Sequence, residues 1–263
     1  MPVRDDILRL VDELAADERG ITTAALRERL GISEQSASNM MSRLVKAGLL
    51  DRVAWGVFAP RPLGQLGTRA ASEDVALAVG AAFSQEPHHI AFRSALDYHG
   101  LLIHPARTIQ VAMPRRAKIS RISGRRFQPV LESANTIAIG AQEAGHGAKV
   151  SNKERALLES ASRPSLVGGW TTLAVALNQS SYDPDELRQL AEQLDAGAAL
   201  RRIASLADVN GVEDLPGALA PPSANARLVL LDPQEPMEEP WTDRRWRVRW
   251  PTSIQQAREL IAN

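Results

Sequence analysis

The sequence predicts an α+β protein: an N-terminal winged helix-turn-helix followed by a larger mixed α/β domain. Residues 1–62 carry three helix patterns and a hairpin pattern, and residues 72–263 carry both strand and helix patterns. A polar, Gly-containing stretch at 63–71 separates the two and predicts a linker. A length of 263 residues fits one large domain or two ordinary ones. The predicted division is therefore a winged helix-turn-helix domain at 1–62, a linker at 63–71 and an α+β domain at 72–263.

The composition excludes several protein classes. Apolar residues make up 44% of the chain, which indicates a globular protein with a core. There is no cysteine, which excludes a disulfide framework and a Cys-based metal site. The longest apolar run, Val75–Phe83, is too short to span a bilayer. Arg4, Asp5 and Asp6 stand where a signal peptide is apolar, so we expect a cytoplasmic protein.

The first two helices are predicted from spacing and capping. Apolar residues recur at helical spacing over Asp5–Ala16, which predicts the first helix. Thr22 is the predicted N-cap of the second helix, with Ile21 and Leu26 as its hydrophobic staple. Gly31 follows that helix and can adopt the left-handed conformation that ends a helix.

The third helix and the hairpin complete the winged module. Ser33 is the predicted N-cap of the third helix, and Gly48 is its predicted end. Leu49 and Leu44 are spaced for the apolar contact that accompanies a Schellman ending. Two short apolar runs then flank Trp55 and Gly56, which predicts a hairpin.

This module predicts DNA binding, because a third helix of this kind fits the major groove, where base edges differ. Its polar face, the start of the second helix and the wing supply the candidate contacts. They are Thr23, Gln35, Ser36, Asn39, Ser42, Arg43, Lys46, Arg52 and Trp55. The alternative is a protein-contact module, which its near balance of charges favours, since phosphate contacts need cations.

A histidine-rich stretch follows a helix predicted over 72–83. His88, His89, His99 and His104 lack metal-ligand spacing, and no G-x-S-x-G elbow accompanies Ser94, so we expect neither a metal site nor a hydrolase. The stretch predicts a short helix capped by Ser94, with Leu96 and Tyr98 packed and Gly100 at its end. A strand ending at Pro114 follows it.

A basic strip comes next. No Asp or Glu occurs between Asp97 and Glu132. The basic residues of that interval are Arg107, Arg115, Arg116, Lys118, Arg121, Arg125 and Arg126. This asymmetry favours a surface for DNA or RNA, or for an acidic protein partner, over an ordinary solvated face.

The remaining segments predict an α+β domain. The stretches FQPVL and NTIAIG predict strands, and four helix patterns follow, the first capped by Asn152 or Ser151 and the third with Pro184 at its first position. In the tail, RLVLL and RRWRVRWP predict strands. The second of these alternates aromatic or apolar residues with arginines, which predicts one buried face.

Four blocks together resemble a known family. They are FRSALDYHGL, a strand leading into MPRR, VSNKERALLESASRPSLVGGW, and a terminal LDP followed by DRRWRVRW. This combination resembles the AbiEi-type antitoxins, winged-helix regulators of abortive-infection toxin–antitoxin systems linked to phage defence. The resemblance spans nearly the whole chain.

The resemblance implies a function. It implies a winged helix that binds inverted repeats in the operon's own promoter and represses it, and a C-terminal α+β domain with antitoxin activity. It implies a nucleotidyltransferase toxin, which some members oppose without a stable complex and others contact. It also implies a structural signature without catalytic role: Ser94, Tyr98, His99, Arg155 and Glu159. We expect no enzyme activity, no cofactor and no metal. We do expect a dimer on DNA.

Two other function classes remain open at the level of sequence. The first is a ligand-sensing winged-helix regulator without a toxin partner, which a buried pocket with converging polar groups would favour. The second is an enzyme fused to a DNA reader, which clustered carboxylates in one cleft would favour.

Overall fold

The structure of the protein is a computed structural model. The described residues are 9, 13, 21–54, 56–61, 75–83, 85–212 and 214–262. The linker, Trp55 and the start of the helix predicted over 72–83 lie outside them. So does most of the predicted first helix, of which Arg9 and Glu13 are described and helical.

From Ile21 onward the winged module has the predicted helices and hairpin in the predicted order, together with a short first strand that was not predicted. They are β1 (Ile21–Thr22), α1 (Thr23–Leu30), α2 (Glu34–Lys46), β2 (Leu50–Ala54) and β3 (Val57–Pro60). The strands form a sheet in the order β1-β3-β2, in which β3 pairs antiparallel with both neighbours. Beneath it lies one apolar cluster: Ile21, Leu26, Ala37, Met41, Leu44, Leu50 and Phe58.

The predicted caps of this module are confirmed. The Thr22 hydroxyl accepts from the amide of Ala25 at 3.0 Å, and the Ser33 hydroxyl accepts from the amide of Ser36 at 3.2 Å. Gly31 ends α1 in the left-handed region at φ 62°. After α2, the amide of Leu49 donates to the carbonyl of Leu44 at 3.0 Å, the bond of a Schellman ending.

A mixed six-stranded sheet follows α3 (Val75–Phe83). Its strands are β4 (His89–Ile90), β5 (Thr108–Met113), β6 (Arg121–Ile122), β7 (Arg125–Leu131), β8 (Ala141–Gly145) and β9 (Ala148–Ser151), in the order β6-β7-β5-β4-β9-β8. The central strands β5 and β7 run parallel, with Thr108 opposite Arg126 and Met113 opposite Leu131.

The strand predicted from NTIAIG is wrong. Residues 134–140 form turns, because Ser133 accepts hydrogen bonds from the backbone amides that follow it. Its carbonyl accepts from the amides of Thr136 and Ile137, each at 3.1 Å, and its hydroxyl accepts from the amide of Asn135 at 3.3 Å. Serine bonds of this kind compete with a strand ladder, so the apolar alternation there does not produce one.

Helices dominate the rest of the chain. They are α4 (Phe92–Tyr98), α5 (Lys153–Ser162), α6 (Trp170–Gln179), α7 (Pro184–Gln193), α8 (Gly197–Asn210), α9 (Asp214–Ala218) and α10 (Ile254–Ala262). Helix α5 packs against α4, α6, α7 and α8 and so lies at the centre of this helical part. The caps predicted at Asn152 and the helix start at Pro184 are confirmed. Helices α9 and α10 are not among the predicted elements.

The tail forms a small three-stranded sheet. It contains β10 (Val229–Leu230), β11 (Thr242–Asp243) and β12 (Val248–Arg249), in the order β10-β12-β11. The strand predicted from RRWRVRWP is wrong in its first half, because residues 244–247 form a turn and Arg247 has φ 56°. The predicted apolar face is confirmed, since Trp246, Val248 and Trp250 are buried.

Two compact units emerge from these contacts, and the α+β class is confirmed. We call the described residues of Met1–Ile90, Arg107–Ala138 and Gln142–Val150 the N-terminal unit. Ala91–Ala106, Ile139–Ala141 and Ser151–Asn263 form the C-terminal unit. The predicted domain limits at 62 and 72 stay a prediction. Throughout the described residues, helices are too short or too polar to cross a bilayer.

Candidate nucleic-acid interface

Helix α2 presents a polar face opposite its buried one. Ala37, Met41 and Leu44 are buried in the core of the winged module. The predicted contact residues lie on the other side, and five of them are exposed: Gln35, Ser36, Asn39, Arg43 and Lys46. Ser42 is half-buried. The predicted DNA contacts of α2 therefore share one accessible face of this helix.

Hydrogen bonds along this face order its polar groups. The Gln35 amide Nε2 donates to Asn39 Oδ1 at 3.2 Å, one helical turn away. The hydroxyls of Ser33 and Ser36 lie 2.9 Å apart. Amide groups held in this way are oriented before a partner arrives, and Asn and Gln are the side chains that pair bidentately with adenine.

The wing and the start of α1 share a cleft with this helix. Thr23, Ser38 and Arg52 line the cleft, together with Gly56 and Phe58. The Arg52 guanidinium is exposed and lies 5.4 Å from the centre of the Phe58 ring. Thr23, the first residue of α1, is half-buried, and its amide donates to the carbonyl of Gly56 at 3.3 Å. Trp55, the other predicted wing contact, lies outside the described residues.

A buried ion pair lies at the base of the wing. Arg61 donates to Asp51 Oδ1 through Nη2 at 2.7 Å and through Nε at 2.9 Å. Both side chains are almost fully buried, at 6% and 8% exposure. This pair ties the first strand of the wing to the segment that leaves it.

The basic strip divides into two groups in space. Four of its arginines lie where β5, β6 and β7 meet at one end of the sheet, and we call them the arginine end: Arg107, Arg121, Arg125 and Arg126. Arg115 and Arg116 follow the opposite end of β5, about 20 Å away for a strand of this length. Exposed Lys118 lies in the segment that returns from there to β6.

Arg115 has an acidic partner that the local sequence does not show. Its Nη2 and Nε lie 2.5 and 3.0 Å from the carboxylate oxygens of Glu86, which precedes the acid-free interval. The bond to Glu86 raises the pKa of Arg115 above its ordinary value. This arginine is therefore already paired, although it is exposed.

The arginine end lies beside the wing. The amide of Ser123, at the tip of the β6–β7 hairpin, donates to the carbonyl of Val53 in β2 at 2.9 Å. Helix α3 packs on β2, β3 and β6, and the aromatic rings of Phe83 and Phe127 stack at 5.3 Å. The hairpin and the wing thus belong to one packed body, the N-terminal unit.

The family signature forms a buried network in the C-terminal unit. The Arg155 guanidinium donates from Nε to Glu159 Oε1 at 2.8 Å and from Nη1 to the carbonyl of Ile139. Glu159 Oε2 accepts from the Ser151 hydroxyl at 2.8 Å and from the amide of Phe92 at 3.3 Å. Phe92 has φ 50°, an unusual conformation for a bulky residue, and Glu159 helps to hold it.

The other signature residues also have structural surroundings, with two corrections. His99 donates from Nε2 to the carbonyl of Ser151 at 2.7 Å. Ser94 does not cap α4, because the helix begins at Phe92 and places Ser94 in its buried interior. Tyr98 is not packed: it is 45% exposed, because it ends α4 on its solvent side. The prediction that Gly100 ends this segment is confirmed by its φ of 70°.

The remaining histidines of the cluster are dispersed. His89 Nδ1 bonds the carbonyl of Ile137 at 3.0 Å, and His104 is exposed. His88 Nδ1 bonds the carbonyl of Glu86 at 2.7 Å, and burial lowers the pKa of His88 below 6.5. His88 and His89 thus bond backbone carbonyls rather than a catalytic serine.

Comparison with known proteins agrees with this geometry. Residues 89–209 match the family model of the AbiEi antitoxin C-terminal domain. The resemblance to AbiEi-type antitoxins is confirmed. Residues 8–54 match the MarR family, so the antitoxin domain follows a winged helix of MarR type. These matches support a transcription regulator of a toxin–antitoxin system, and both families are named for roles other than catalysis.

The fold as a whole also has a counterpart of known structure. The crystal structure of the RV2827C protein from Mycobacterium tuberculosis matches with a TM-score of 0.66 and 19% sequence identity. The match covers 100% of this chain and 96% of that chain. At this identity the likeness concerns the fold. No curated protein matches the chain.

Proposed function

We propose that this AbiEi-type chain binds operator DNA in its own promoter and represses its operon. The observation that carries the proposal is the exposed polar face of α2, which is backed by a buried apolar face and ordered by its own hydrogen bonds. A helix of this shape enters the major groove, where its side chains reach base edges.

Each contact residue has a role in this proposal. Gln35 and Asn39 read adenine, and Arg43 reads guanine or binds phosphate. Ser36, Ser42 and Lys46 support these contacts from the same face. Thr23 and Arg52 hold the DNA backbone beside the helix, and Trp55 is proposed to do so at the wing tip. Two chains on inverted repeats double these contacts, with half-sites about 34 Å apart.

The C-terminal unit is proposed to supply the antitoxin activity. The cognate toxin is a nucleotidyltransferase, and the chain counteracts it without catalysis of its own, either by contact or through a functional effect. A repressor of this kind acts in the cytoplasm, where the operon is transcribed.

A direct test of repression uses fluorescence anisotropy with DNA from upstream of the chain's own gene. The full chain is titrated into this DNA and into a scrambled sequence of equal length, at two salt concentrations. A specific reader is expected to bind its operator about 10³-fold tighter than the scrambled sequence, or more. Equal affinity for both sequences would contradict the proposed autorepression.

The antitoxin function needs a separate experiment. The product of the gene adjacent to this one is expressed alone and with the full chain, and growth is followed. Rescue of growth is expected, also with Asn39→Ala/Arg43→Ala, because that double variant leaves the C-terminal unit intact. Failure of the wild-type chain to rescue growth would exclude this protein as its antitoxin.

A further inference from the structure

We propose that the small sheet of the C-terminal unit is a self-association surface, on which a second copy of the chain docks about a two-fold axis. Two regions of this sheet carry the proposal. The first, the leucine–arginine face, consists of Arg201, Arg227, Leu228, Leu230 and Arg247. The second, the acidic loop, is residues 232–241, which join β10 to β11. This inference goes beyond the proposed function, because the association requires neither DNA nor a toxin.

Two exposed leucines lie on one side of β10. Leu228 directly precedes the strand and Leu230 ends it, and they are 46% and 37% exposed. Alternate residues of a strand point to the same side of a sheet, so the two side chains share the solvent side. Leu231, which points the other way, is fully buried. Apolar side chains that stand together within a polar rim are typical of a protein–protein contact.

Three arginines lie at the same end of β10 and β12 and form the rim of these leucines. Arg201 Nη1 donates to the carbonyl of Arg227 at 2.9 Å, and Arg247 Nε donates to the carbonyl of Ala226 at 3.0 Å. Burial and the nearby charge of Arg247 lower the pKa of Arg201 below its ordinary value. Within the described residues, no carboxylate forms an ion pair with any of these three arginines. The positive charge at this end of the sheet is therefore not balanced.

The acidic loop lies at the opposite end of the same two strands. The amide of Glu238 donates to the carbonyl of Pro251, two residues after β12, at 2.7 Å. Burial and the charges of Asp232 and Glu238 raise the pKa of Glu235, and no described cation forms an ion pair with the exposed acids of the loop. The exposed side chains include three carboxylates and one apolar group: Glu235, Glu238, Glu239 and Met237.

A second copy of the chain can balance both charges at once. β10 and β12 run parallel, so each has its cationic end and its acidic end on the same sides. The step from Leu228 to Leu231 spans about 10 Å in a strand, which separates the two ends. A two-fold axis across the strands reverses their direction in the second copy. The arginines of each chain then meet the acidic loop of the other, in an isologous contact that closes as a dimer.

The composition of the surface favours a protein partner over nucleic acid. Leucine side chains add nothing to phosphate binding, and the carboxylates of the acidic loop repel phosphates. Arginine and methionine, by contrast, are enriched in protein–protein interfaces. Arg202 Nε already donates to the carbonyl of Leu230 at 2.7 Å, so the edge of β10 is partly covered. The contact therefore uses side chains on the face of the sheet rather than strand addition at its edge.

The test is a charge swap in the full chain, measured by sedimentation equilibrium without DNA. Arg227→Glu/Arg247→Glu reverses the cationic end, and Glu238→Arg/Glu239→Arg reverses the acidic loop. Arg188→Glu/Arg258→Glu, at exposed positions of α7 and α10, is the matched control. Thermal unfolding checks that each variant is folded.

Only complementary charges should permit association. We expect the wild type to dimerise as its concentration rises, and to do so less at high salt. Each reversed variant alone places like charges together, so its dissociation constant should rise about 100-fold or more. An equimolar mixture of the two reversed variants restores attraction at both contacts and should dimerise. The control should keep the wild-type dissociation constant.

Three outcomes would overturn the inference. One is a wild type that stays monomeric over the whole concentration series. Another is a pair of folded, reversed variants that do not associate when they are mixed. The third is an equal loss of association in the control, which would mean a general effect of charge.

Leu228→Ser keeps the inference testable if a reversed variant does not fold. It leaves every charge in place and should still raise the dissociation constant, because it removes apolar area from the contact. Wild-type association of folded Leu228→Ser would contradict the inference. All these measurements are made without DNA, so a chain that dimerises but shows no operator preference would refute the proposed function and leave this inference standing.

Discussion

Helices α2 and α5 have similar composition and opposite surroundings. Both follow a polar N-cap, and both carry arginine and serine side chains. Helix α2 buries Ala37, Met41 and Leu44 and exposes its polar face. Helix α5 is buried from Glu154 to Ala161, and its charged groups bond inside the protein.

This difference separates structural motifs from functional ones. The block ERALLE in α5 is conspicuous in the sequence, and its charges serve packing. Arg155 and Glu159 bond each other, the Ser151 hydroxyl and two backbone groups. The polar face of α2 is less conspicuous, and its side chains bond one another while remaining accessible. In this chain, the charged residues available to a partner are those the core does not use.

The largest expected effect tests the buried side of this comparison. Glu159→Ala should lower the free energy of unfolding by about 3–5 kcal/mol, because it removes the carboxylate that balances the buried Arg155 charge. Glu192→Ala is a matched control, since Arg188 and Glu192 have the same spacing on α7 but are exposed at 44% and 69%. The control should cost less than about 0.5 kcal/mol. Urea denaturation measures both, and equal costs would show that burial does not matter.

The two N-caps should show a smaller difference in the same direction. Ser33→Ala removes the cap of α2 and should cost about 1 kcal/mol. Asn152→Ala should cost more, because Asn152 caps α5 and its amide also donates to Glu186 at 2.6 Å. Asn152→Ser, which keeps the cap, should recover part of that loss. Thermal unfolding of the three variants measures the order, and a larger cost for Ser33→Ala would contradict it.

The smallest expected effect depends on pH and comes from His88 in the N-terminal unit. Burial lowers the pKa of His88 below 6.5. As the pH falls below 6.5, this histidine therefore binds a proton in the unfolded chain before it does so in the folded chain. Its contribution to stability is therefore complete above pH 6.5 and is lost as the pH falls from 6.5 toward the folded pKa. His88→Gln should flatten the change in unfolding midpoint between pH 7.5 and 5.5. An unchanged pH profile would show that His88 does not titrate differently on folding.

Local signals predicted much of the fold. Thr22, Ser33 and Asn152 act as caps because their side chains bond amides three residues on, an interaction that the sequence contains in full. The same holds for Gly31 and for the bond from Leu49 to Leu44. Such features depend on a few neighbouring residues, so no tertiary information is needed to predict them.

The errors come from contacts between distant residues or from competing local bonds. Ser94 resembled a cap, but α4 begins at Phe92, whose backbone is held by Glu159 from a distant segment. Nor did the basic strip indicate that Glu86 pairs with Arg115, since the two are far apart in sequence. For the candidate interface, helical spacing predicted the face of α2. The proximity of the β6–β7 hairpin to the wing required the folded structure.

The most direct test of the central claim is the operator affinity of Asn39→Ala/Arg43→Ala, measured by anisotropy on the full chain. Arg188→Ala, an exposed change in the C-terminal unit, is the control for loss of charge. Each good base contact contributes about 1–3 kcal/mol, so we expect the double variant to bind its operator about 100-fold more weakly or worse. Its unfolding midpoint should match that of the wild type. Wild-type affinity in a folded double variant would show that α2 does not read the operator.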